Sequence, residues 1–285
     1  MYLALERYSR PSTVHECLEL LHAQGGRAAL LSGGTDLHAR ADEALTHVID
    51  LQALPLAEVR ASGDSLRLGA RVTLARLRRE PALARPELAA LREAAGAYAV
   101  VALQNRATLG GRIMVDRGTE DVPTALAALG AELALARRVD GQIVTEREPY
   151  PVGQRARAAL EGALVCAVVL PLGTGKSALR RFGRTAVDQP LASVAAASRA
   201  GAIHLAANVQ GPGAADLRTL PRTGALASAW LADRPADWRA QARVALLGEL
   251  AAFEDPWASG DYRRDLSATL GVRALAAVFG EPEIV

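Results

Sequence analysis

A short apolar run that breaks into a glycine pair is the first stretch of this chain that could bind a ligand. The run Ala28–Leu31 predicts a short buried strand, and the turn after it reads Ser32, Gly33, Gly34, Thr35 and Asp36. Paired glycines at a strand end let the backbone turn tightly and bring bare N–H groups against a diphosphate. The hydroxyl of Thr35 and the carboxylate of Asp36 add polar groups. An ordinary turn between a strand and a helix has the same composition, so this stretch alone leaves both interpretations open.

A second glycine pair, near residue 110, repeats the combination of a hydroxyl side chain with adjacent glycines. The segment Asn105–Arg112 contains Thr108, followed shortly by Gly110 and Gly111. Further along the chain, Asp121 opens an alanine- and leucine-rich helix, where its carboxylate suits a helix cap or a ligand hydroxyl. The repeat favours a shared binding function over two unrelated turns.

Two Gly-Gly stretches with a downstream aspartate resemble the FAD-binding subunit of the molybdenum hydroxylases, the family of xanthine dehydrogenase and carbon monoxide dehydrogenase. The resemblance continues in the basic strand Arg180–Arg184 and the late segment Asp261–Leu266, and it spans nearly the whole chain. It implies an α+β fold, with a two-part FAD-binding domain of the vanillyl-alcohol-oxidase type followed by a smaller C-terminal domain of one sheet covered by helices.

The domain boundaries are predicted from the same resemblance and from the linker composition of Pro171–Gly175. The FAD-binding domain would span residues 1–172, with subdomains of about 1–55 and 56–172, and the C-terminal domain residues 173–285. The linker contains Gly173–Ser177, which looks like the end of a phosphate-binding P-loop. That motif needs a further glycine where this chain has Leu170, so a P-loop is rejected.

The resemblance also implies a role for each site residue. The first loop would hold the diphosphate and ribityl chain, the second loop would approach from the other side, and a Leu-Gly-Ala corner would lie beside the isoalloxazine ring. A basic strand residue, at a position where the family has lysine, would stabilise the reduced ring. The residues expected to bind FAD are Leu31, Ser32, Gly33, Gly34, Thr35, Asp36, Leu68, Gly69, Ala70, Thr108, Gly110, Gly111, Arg112, Asp121 and Arg181.

Three of these roles have structural alternatives. The corner at Leu68–Ala70 also fits a tight strand end, Asp121 a helix cap, and Arg181 a solvated strand position. At Arg112 the chain departs from the family, whose second loop commonly ends Gly-Gly-Asn. Arginine offers only donors and charge, so Arg112 would either pair with a phosphate or mark weakened flavin binding.

Composition excludes several other functions. The net charge is +2, from 33 basic and 31 acidic residues, and aromatic residues make up 4%, which argues against nucleic-acid binding. No apolar run approaches the roughly 18 to 20 residues that cross a bilayer. The N-terminal residues lack the pattern of a signal peptide, so the expected location is the cytoplasm.

Metal and nucleophile chemistry is not expected from this chain. Its two cysteines, Cys17 and Cys166, lie in a predicted helix and a predicted strand, whereas an iron–sulfur cluster needs about four thiolates. The five histidines are scattered without ligand spacing, and no nucleophile–base pair stands out. We therefore predict no catalytic residue and no metal ligand here, and any cluster or molybdenum centre would belong to a partner.

The function these features predict is electron transfer within a molybdenum hydroxylase. Electrons would pass from a partner's iron–sulfur cluster through FAD to NAD, a quinone or oxygen. The implied partners are an iron–sulfur subunit and a molybdopterin subunit. One alternative is a non-catalytic assembly subunit that has weakened or lost FAD binding, as Arg112 suggests. Another is a free-standing flavin oxidase, which is disfavoured because no substrate-handling acid or base is evident.

The elements that must position these residues follow from hydrophobic periodicity. The stretch 137–157 is charged and turn-rich. Helices are predicted over 12–24, 72–79, 86–103, 122–129, 225–231, 238–252 and 261–279. Strands are predicted over 28–31, 48–51, 65–70, 131–136, 163–170, 179–184, 191–198 and 202–208.

Overall fold

The computed structural model describes residues 5–40, 42–115, 120–152, 160–208, 217–251 and 254–282. Within these ranges the strands form three separate sheets. Among the helices of this described part, none combines the length and the apolar character needed to cross a bilayer.

The first sheet is parallel and has three strands in the order β1-β3-β2. Parallel strands cannot be joined by a tight hairpin, and a helix lies between each pair of strands that are successive in the chain. The first of these helices begins at Val14, two residues after the predicted start, because the amide of Glu16 donates to the Thr13 hydroxyl over 3.1 Å and the amide of Ser12 donates to the Glu16 carboxylate. The elements are β1 Arg7–Ser9, α1 Val14–Gln24, β2 Ala28–Leu31, α2 Leu37–Arg40 and β3 His47–Asp50.

The second sheet has five strands in the order β4-β5-β8-β6-β7, and every pairing in it is antiparallel. Its strands are β4 Val59–Ser62, β5 Ser65–Gly69, β6 Glu132–Val139, β7 Gln142–Pro149 and β8 Leu164–Pro171. The sequence prediction of a turn-rich stretch over 137–157 was wrong up to Pro149, since β6 continues and pairs with β7 in a hairpin, and residues 153–157 lie outside the described residues. Strand β7 lies at the sheet edge and buries neither face, so its charged side chains gave no hydrophobic alternation.

Between β5 and β6, the described residues include five α-helices, one of which carries the second glycine pair: α3 Leu74–Arg79, α4 Ala89–Ala97, α5 Val101–Gln104, α6 Leu109–Met114 and α7 Asp121–Ala128. The prediction of one helix over 86–103 was wrong, because the helix breaks between Ala97 and Val101. Ala99 there has φ of +42°. The side-chain amide of Gln104 donates to the carbonyl oxygens of Tyr98 and Gly96, so the carbonyls freed by the break find a partner.

The third sheet has four antiparallel strands in the order β12-β11-β10-β9, and the described residues after it form three α-helices. These elements are β9 Ser177–Phe182, β10 Ala192–Arg199, β11 Ala202–Asn208, β12 Leu217–Thr219, α8 Pro221–Ala229, α9 Trp238–Glu249 and α10 Gly260–Phe279. Both faces of this sheet are buried. Ala195 and Ala197 pack with α4 and α7, whereas Val194 and Ala196 pack with α8 to α10. The sheet therefore joins the C-terminal helices to the rest of the molecule, and the α+β prediction is confirmed.

Candidate functional site

A cavity of about 740 Å³ lies between the first parallel sheet and the helix that carries the second glycine pair. This volume falls in the range of about 300–1,000 Å³ that is usual for cofactor sites. The cavity gathers most of the residues singled out in the sequence: Leu31, Ser32, Gly33, Gly34, Thr35, Asp36, Ala70, Thr108, Gly110, Gly111 and Arg112.

Direct hydrogen bonds join the two glycine segments. The hydroxyl of Thr108 donates to the Ser32 hydroxyl oxygen over 3.0 Å, and Nε of Arg106 donates to the carbonyl of Gly33 over 3.2 Å. A Cβ atom at Gly33 would lie 1.9 Å from the carbonyl oxygen of Arg106, so only glycine fits between the segments. Segments far apart in sequence thus form one wall of the cavity.

The second glycine pair belongs to a helical turn, and the amide N–H groups of both glycines already donate hydrogen bonds within the protein. Thr108 caps α6 by accepting a hydrogen bond from the amide of Gly111 over 3.2 Å. The amide of Gly110 donates to the carbonyl of Ala70 over 2.7 Å. A Cβ atom at Gly110 would lie 2.8 Å from that of Ala70, so the glycine permits close packing of α6 against the end of β5. This segment shapes the cavity more than it offers amides to a ligand.

The first glycine pair leaves its amides available. In the described part of the chain, the N–H groups of Gly33, Gly34 and Thr35 donate to no other residue, although all three residues line the cavity. Gly34 has φ of +74°, a backbone conformation that disfavours other residues. Beyond the turn, Asp36 forms an ion pair with Arg40 at 2.7 Å. Three successive amides at a turn make an anion-binding concavity.

The charges around the cavity do not favour an anion by themselves. Among the described lining residues, two are basic and three acidic: Arg40, Arg112, Asp36, Asp42 and Glu161. Both arginines form ion pairs with carboxylates. Among the described lining residues, neutral backbone donors are therefore the groups left to bind a diphosphate.

Arg112 takes part in a buried cluster at the cavity wall. Its Nε donates to the Glu120 carboxylate over 3.1 Å, and its Nη2 donates to the same carboxylate. Its Nη1 donates to the Tyr98 hydroxyl over 3.1 Å. The guanidinium also lies 4.5 Å from the centre of the Tyr98 ring. Only 3% of Arg112 and 7% of the Glu120 side chain are exposed. The positive charge of Arg112 is thus neutralised within the protein.

Asp121, which is buried, and Arg181, which is partly buried, form an ion pair at 2.9 Å, and neither residue lines the cavity. Glu120 occupies the cap position of α7, and Asp121 is the first residue of the helix. Burial raises the pKa of Asp121, while the Arg181 guanidinium opposes that shift. Arg181 also donates to the carbonyls of Ala186 and Asp188. This pair links α7 to the third sheet.

Of the residues in the Leu-Gly-Ala corner, some lie in the core and one lines the cavity. Leu68 is fully buried in the hydrophobic core, and a Cβ at Gly69 would lie 2.3 Å from the Leu56 carbonyl oxygen. Ala70 alone of the three lines the cavity. The tight strand end considered for this corner is therefore present, and its last residue reaches the site.

Sequence reasoning missed the apolar wall of the cavity, since apolar residues of this kind look like any core position. The wall comes from α1, β2, the segments on either side of β3, the end of α6 and the start of β8. Its members are Leu21, Leu30, Leu45, Leu51, Met114, Leu160, Ala163, Leu164 and Val165. An apolar wall beside free amides suits a ligand with a flat ring and a charged diphosphate, which is the chemistry of FAD.

Residues 3–173 match the family described as FAD binding domain in molybdopterin dehydrogenase. The match covers more than half of the chain, so the chain belongs to this family and its cofactor is FAD. The resemblance recognised from the two glycine pairs is thereby confirmed.

The chain is similar to subunits of known dehydrogenases. It is 25% identical over 169 residues to caffeine dehydrogenase subunit beta of Pseudomonas sp. (strain CBB1), covering 58% of this chain and 57% of that protein. It is 27% identical over 195 residues to 6-hydroxypseudooxynicotine dehydrogenase complex subunit alpha of Paenarthrobacter nicotinovorans, covering 66% and 65%. In these alignments the chain spans less than two thirds of the length of each relative.

Solved structures share the fold over nearly the full chain. Carbon monoxide dehydrogenase from Hydrogenophaga pseudoflava superimposes with a TM-score of 0.83 at 23% identity, covering 98% of this chain and 99% of that one. Quinoline 2-oxidoreductase from Pseudomonas putida 86 gives 0.78 at 20% identity, covering 98% of each. At these identities the likeness concerns the fold.

Proposed function

We propose that this chain is the electron-transfer subunit of a molybdenum-dependent dehydrogenase complex. The family match and the dehydrogenase subunits among its relatives support this role. An iron–sulfur subunit and a molybdopterin subunit would be its partners, and electrons would pass from the iron–sulfur cluster through FAD to NAD, a quinone or oxygen. FAD supplies the redox chemistry, while the protein binds and orients it.

The observation that carries the proposal is the set of free amides at the first glycine pair, facing a cavity that the second pair closes. We assign the diphosphate of FAD to the N–H groups of Gly33, Gly34 and Thr35. The hydroxyls of Ser32 and Thr108, already bonded to each other, would fix the loop in place. The apolar wall would take a ring of the cofactor.

The remaining members of the predicted site would act through packing. Arg112 and Glu120 would hold the wall behind α6, and Asp121 with Arg181 would hold α7 against the third sheet. The domain division at residue 172 stays a proposal, supported by the change from the second to the third sheet between Pro171 and Ser177. A cytoplasmic location is also proposed, consistent with two free, buried cysteines.

One experiment separates the proposal from its alternatives. The tagged chain would be purified from its native host, its flavin released by denaturation, and its iron and molybdenum measured. We expect noncovalent FAD together with iron and molybdenum. Flavin without either metal would instead indicate a free-standing oxidase, and metals without flavin would indicate an assembly subunit. Either of these results would overturn the proposal.

A further inference from the structure

Another cavity, of about 310 Å³, lies between the last two helices, α9 and α10. Arginine and small apolar side chains make up most of its lining. The arginines are Arg239, Arg243 and Arg273, and the apolar residues are Ala240, Val272 and Ala276. None of them lines the cavity assigned to FAD. We call this second cavity the arginine cleft.

The arginine cleft follows from the spacing of residues on two packed helices. Arg239 and Arg243 are four residues apart on α9, and Thr269 and Arg273 are four apart on α10, so each pair lies on one face of its helix. Because α9 and α10 pack against each other, the two faces meet at the cleft. Both helices pack on the face of the third sheet opposite to α4 and α7. A ligand in the cleft would therefore be separated from α4 and α7 by that sheet.

Carboxylates neutralise the positive charge of the arginine cleft only in part. Arg239 pairs with Glu281, but Glu281 also pairs with Arg234, so two arginines share one negative charge. Arg243 pairs with Asp265, whose side chain is 57% exposed, so water screens this pair. Among the described residues that line the cleft, none is acidic. The cleft therefore keeps a net positive charge.

Arg273 contributes a charge that the described part of the chain does not neutralise. It is partly buried in the cleft, and its side chain forms neither an ion pair nor a hydrogen bond with another described residue. One turn earlier, the Thr269 hydroxyl donates to the carbonyl of Asp265 over 3.1 Å and adds no negative charge. A guanidinium carries five N–H donors, and charged groups removed from water are normally paired. An anion in the cleft would supply that partner.

The apolar part of the lining limits the kind of anion. Ala240, Val272 and Ala276 offer hydrocarbon surface, which a bare inorganic ion would leave uncovered. The volume is near the lower end of the range of about 300–1,000 Å³ that is usual for small-molecule sites. Guanidinium groups bind phosphate and carboxylate groups through two parallel hydrogen bonds. A small molecule with such a group on an apolar body matches both parts of the lining.

We propose that the arginine cleft binds a small organic anion, in which a phosphate or carboxylate group is carried on an apolar body. The guanidinium of Arg273 contacts the anionic group, and Arg239 and Arg243 add positive charge from α9. The apolar body lies against Val272 and its neighbours. This site goes beyond the electron-transfer function, because it shares no lining residue with the FAD cavity.

The test is isothermal titration calorimetry on the full chain with FAD added in excess, so that the first glycine pair is occupied. The probes are phenyl phosphate and benzoate, with inorganic phosphate and phenol as their charged and apolar halves. We expect phenyl phosphate, benzoate or both to bind. Inorganic phosphate and phenol should bind about tenfold more weakly or worse, because each makes only one kind of contact. Raising salt should weaken the binding of the charged probes, since the arginines are partly exposed.

Three variants locate the binding site. Arg273→Gln removes the charge and should weaken binding of the tighter probe about tenfold or more. Ala240→Glu places a carboxylate at an exposed position of the cleft, where it would pair with the arginines and exclude the probe. The control is Arg264→Gln on the same helix, because Arg264 pairs with Asp261 and does not line the cleft. The control should bind the probe as wild type does, and all three variants should hold the wild-type amount of FAD.

Several results would contradict the inference. It fails if the wild-type chain binds neither phenyl phosphate nor benzoate, or if Arg273→Gln binds them as tightly as wild type does. Binding of inorganic phosphate as tight as that of phenyl phosphate would show that the apolar lining has no role, which excludes the proposed ligand class. Release of FAD by phenyl phosphate would place the probe in the FAD cavity instead. The electron-transfer proposal stands after any of these results, since it depends on a different cavity.

Discussion

At Arg112 the contacts in the structure change the role that the sequence suggested for the side chain. In the sequence its position next to Gly111 suggested either a phosphate contact or a damaged flavin site. In the structure its guanidinium is bonded to Glu120 and Tyr98 and is almost fully buried. Glu120 lies eight residues from Arg112, and no sequence motif indicates an ion pair at that spacing, so the contact could not be predicted from the sequence. We interpret Arg112 as a residue that positions the wall of the cavity.

That interpretation predicts a large stability effect for Arg112→Ala. Removing one partner of a buried ion pair leaves the other charge uncompensated, which typically costs about 3–5 kcal/mol. The free energy of unfolding, measured in urea, should fall by that amount. Arg85→Ala is the matched control, because Arg85 pairs with Glu87 at the surface, where such pairs are worth about 0–1 kcal/mol.

The double variant Arg112→Met with Glu120→Gln should recover much of this stability, since replacing both charges removes the uncompensated one. If Arg112→Ala leaves stability unchanged and weakens FAD binding in a salt-dependent way, the guanidinium faces the ligand instead.

At the scale of elements, the sequence was most informative where one face is buried and least informative elsewhere. The strand Ser65–Gly69 and the helix Gly260–Phe279 agree closely with their predicted ranges because apolar residues mark them. The hairpin partner Gln142–Pro149 escaped notice because it is an exposed edge strand. At the break in the helix after Ala97, the Gln104 side chain bonds the carbonyl of Tyr98, a contact that hydrophobic periodicity does not reveal.

The small parallel sheet should be sensitive to acid through His47. This residue of β3 is 1% exposed, and its ring nitrogen lies 2.9 Å from the Ser9 hydroxyl of β1. Burial, followed by the nearby Arg7, lowers the pKa of His47. The unfolded chain then binds more protons than the folded chain below about pH 6.5, so stability falls as the pH drops from there through the folded-state pKa.

The measurement is the melting temperature between pH 7 and pH 5. His47→Gln should lose less stability over this interval than wild type, because glutamine does not titrate and its amide can still bond Ser9. His22→Gln, on an exposed part of α1, should behave like wild type. Equal acid sensitivity of all three proteins would show that His47 does not control this transition.

At the scale of the whole molecule, the third sheet joins the C-terminal helices to the helices α4 and α7 in the middle of the chain. The amide of Ala90 donates to the Ser177 hydroxyl over 2.9 Å, and the amide of Leu179 donates to the Glu93 carboxylate over 2.7 Å. Together with the alanines that pack on α4 and α7, these contacts make the sheet part of the core beneath the cavity wall.

A chain that ends at Leu172 should therefore fold poorly, because it leaves the apolar faces of α4 and α7 without a cover. We expect it to aggregate on purification and to retain little FAD, as judged by size-exclusion chromatography and flavin content. A soluble fragment that binds FAD as tightly as the full chain would show that the FAD-binding domain is independent of the third sheet.

The two glycine pairs could be linked from sequence because each carries a hydroxyl residue and a recognisable spacing. Their different roles could not be predicted from sequence, because the sequence does not show that the amide N–H groups of Gly110 and Gly111 donate to other residues of the protein. The apolar wall was also invisible, because leucines and alanines there resemble the core.

The central claim is that the amides of the first glycine pair hold the diphosphate of FAD, and titration of FAD into apoprotein tests it most directly. Three chains would be compared at low and high salt: wild type, Gly33→Ala, and Gly26→Ala, whose added methyl group meets open space.

In Gly33→Ala the new Cβ would lie 1.9 Å from the Arg106 carbonyl oxygen, so the loop must move and its amides with it. Losing two charge-assisted contacts of about 1.5–3 kcal/mol each should weaken binding by about a hundredfold or more. Gly26→Ala should bind like wild type, and salt should change the wild-type Kd by less than about threefold, because the donors are neutral. Unchanged FAD affinity in Gly33→Ala, or a wild-type Kd that rises steeply with salt, would contradict the account.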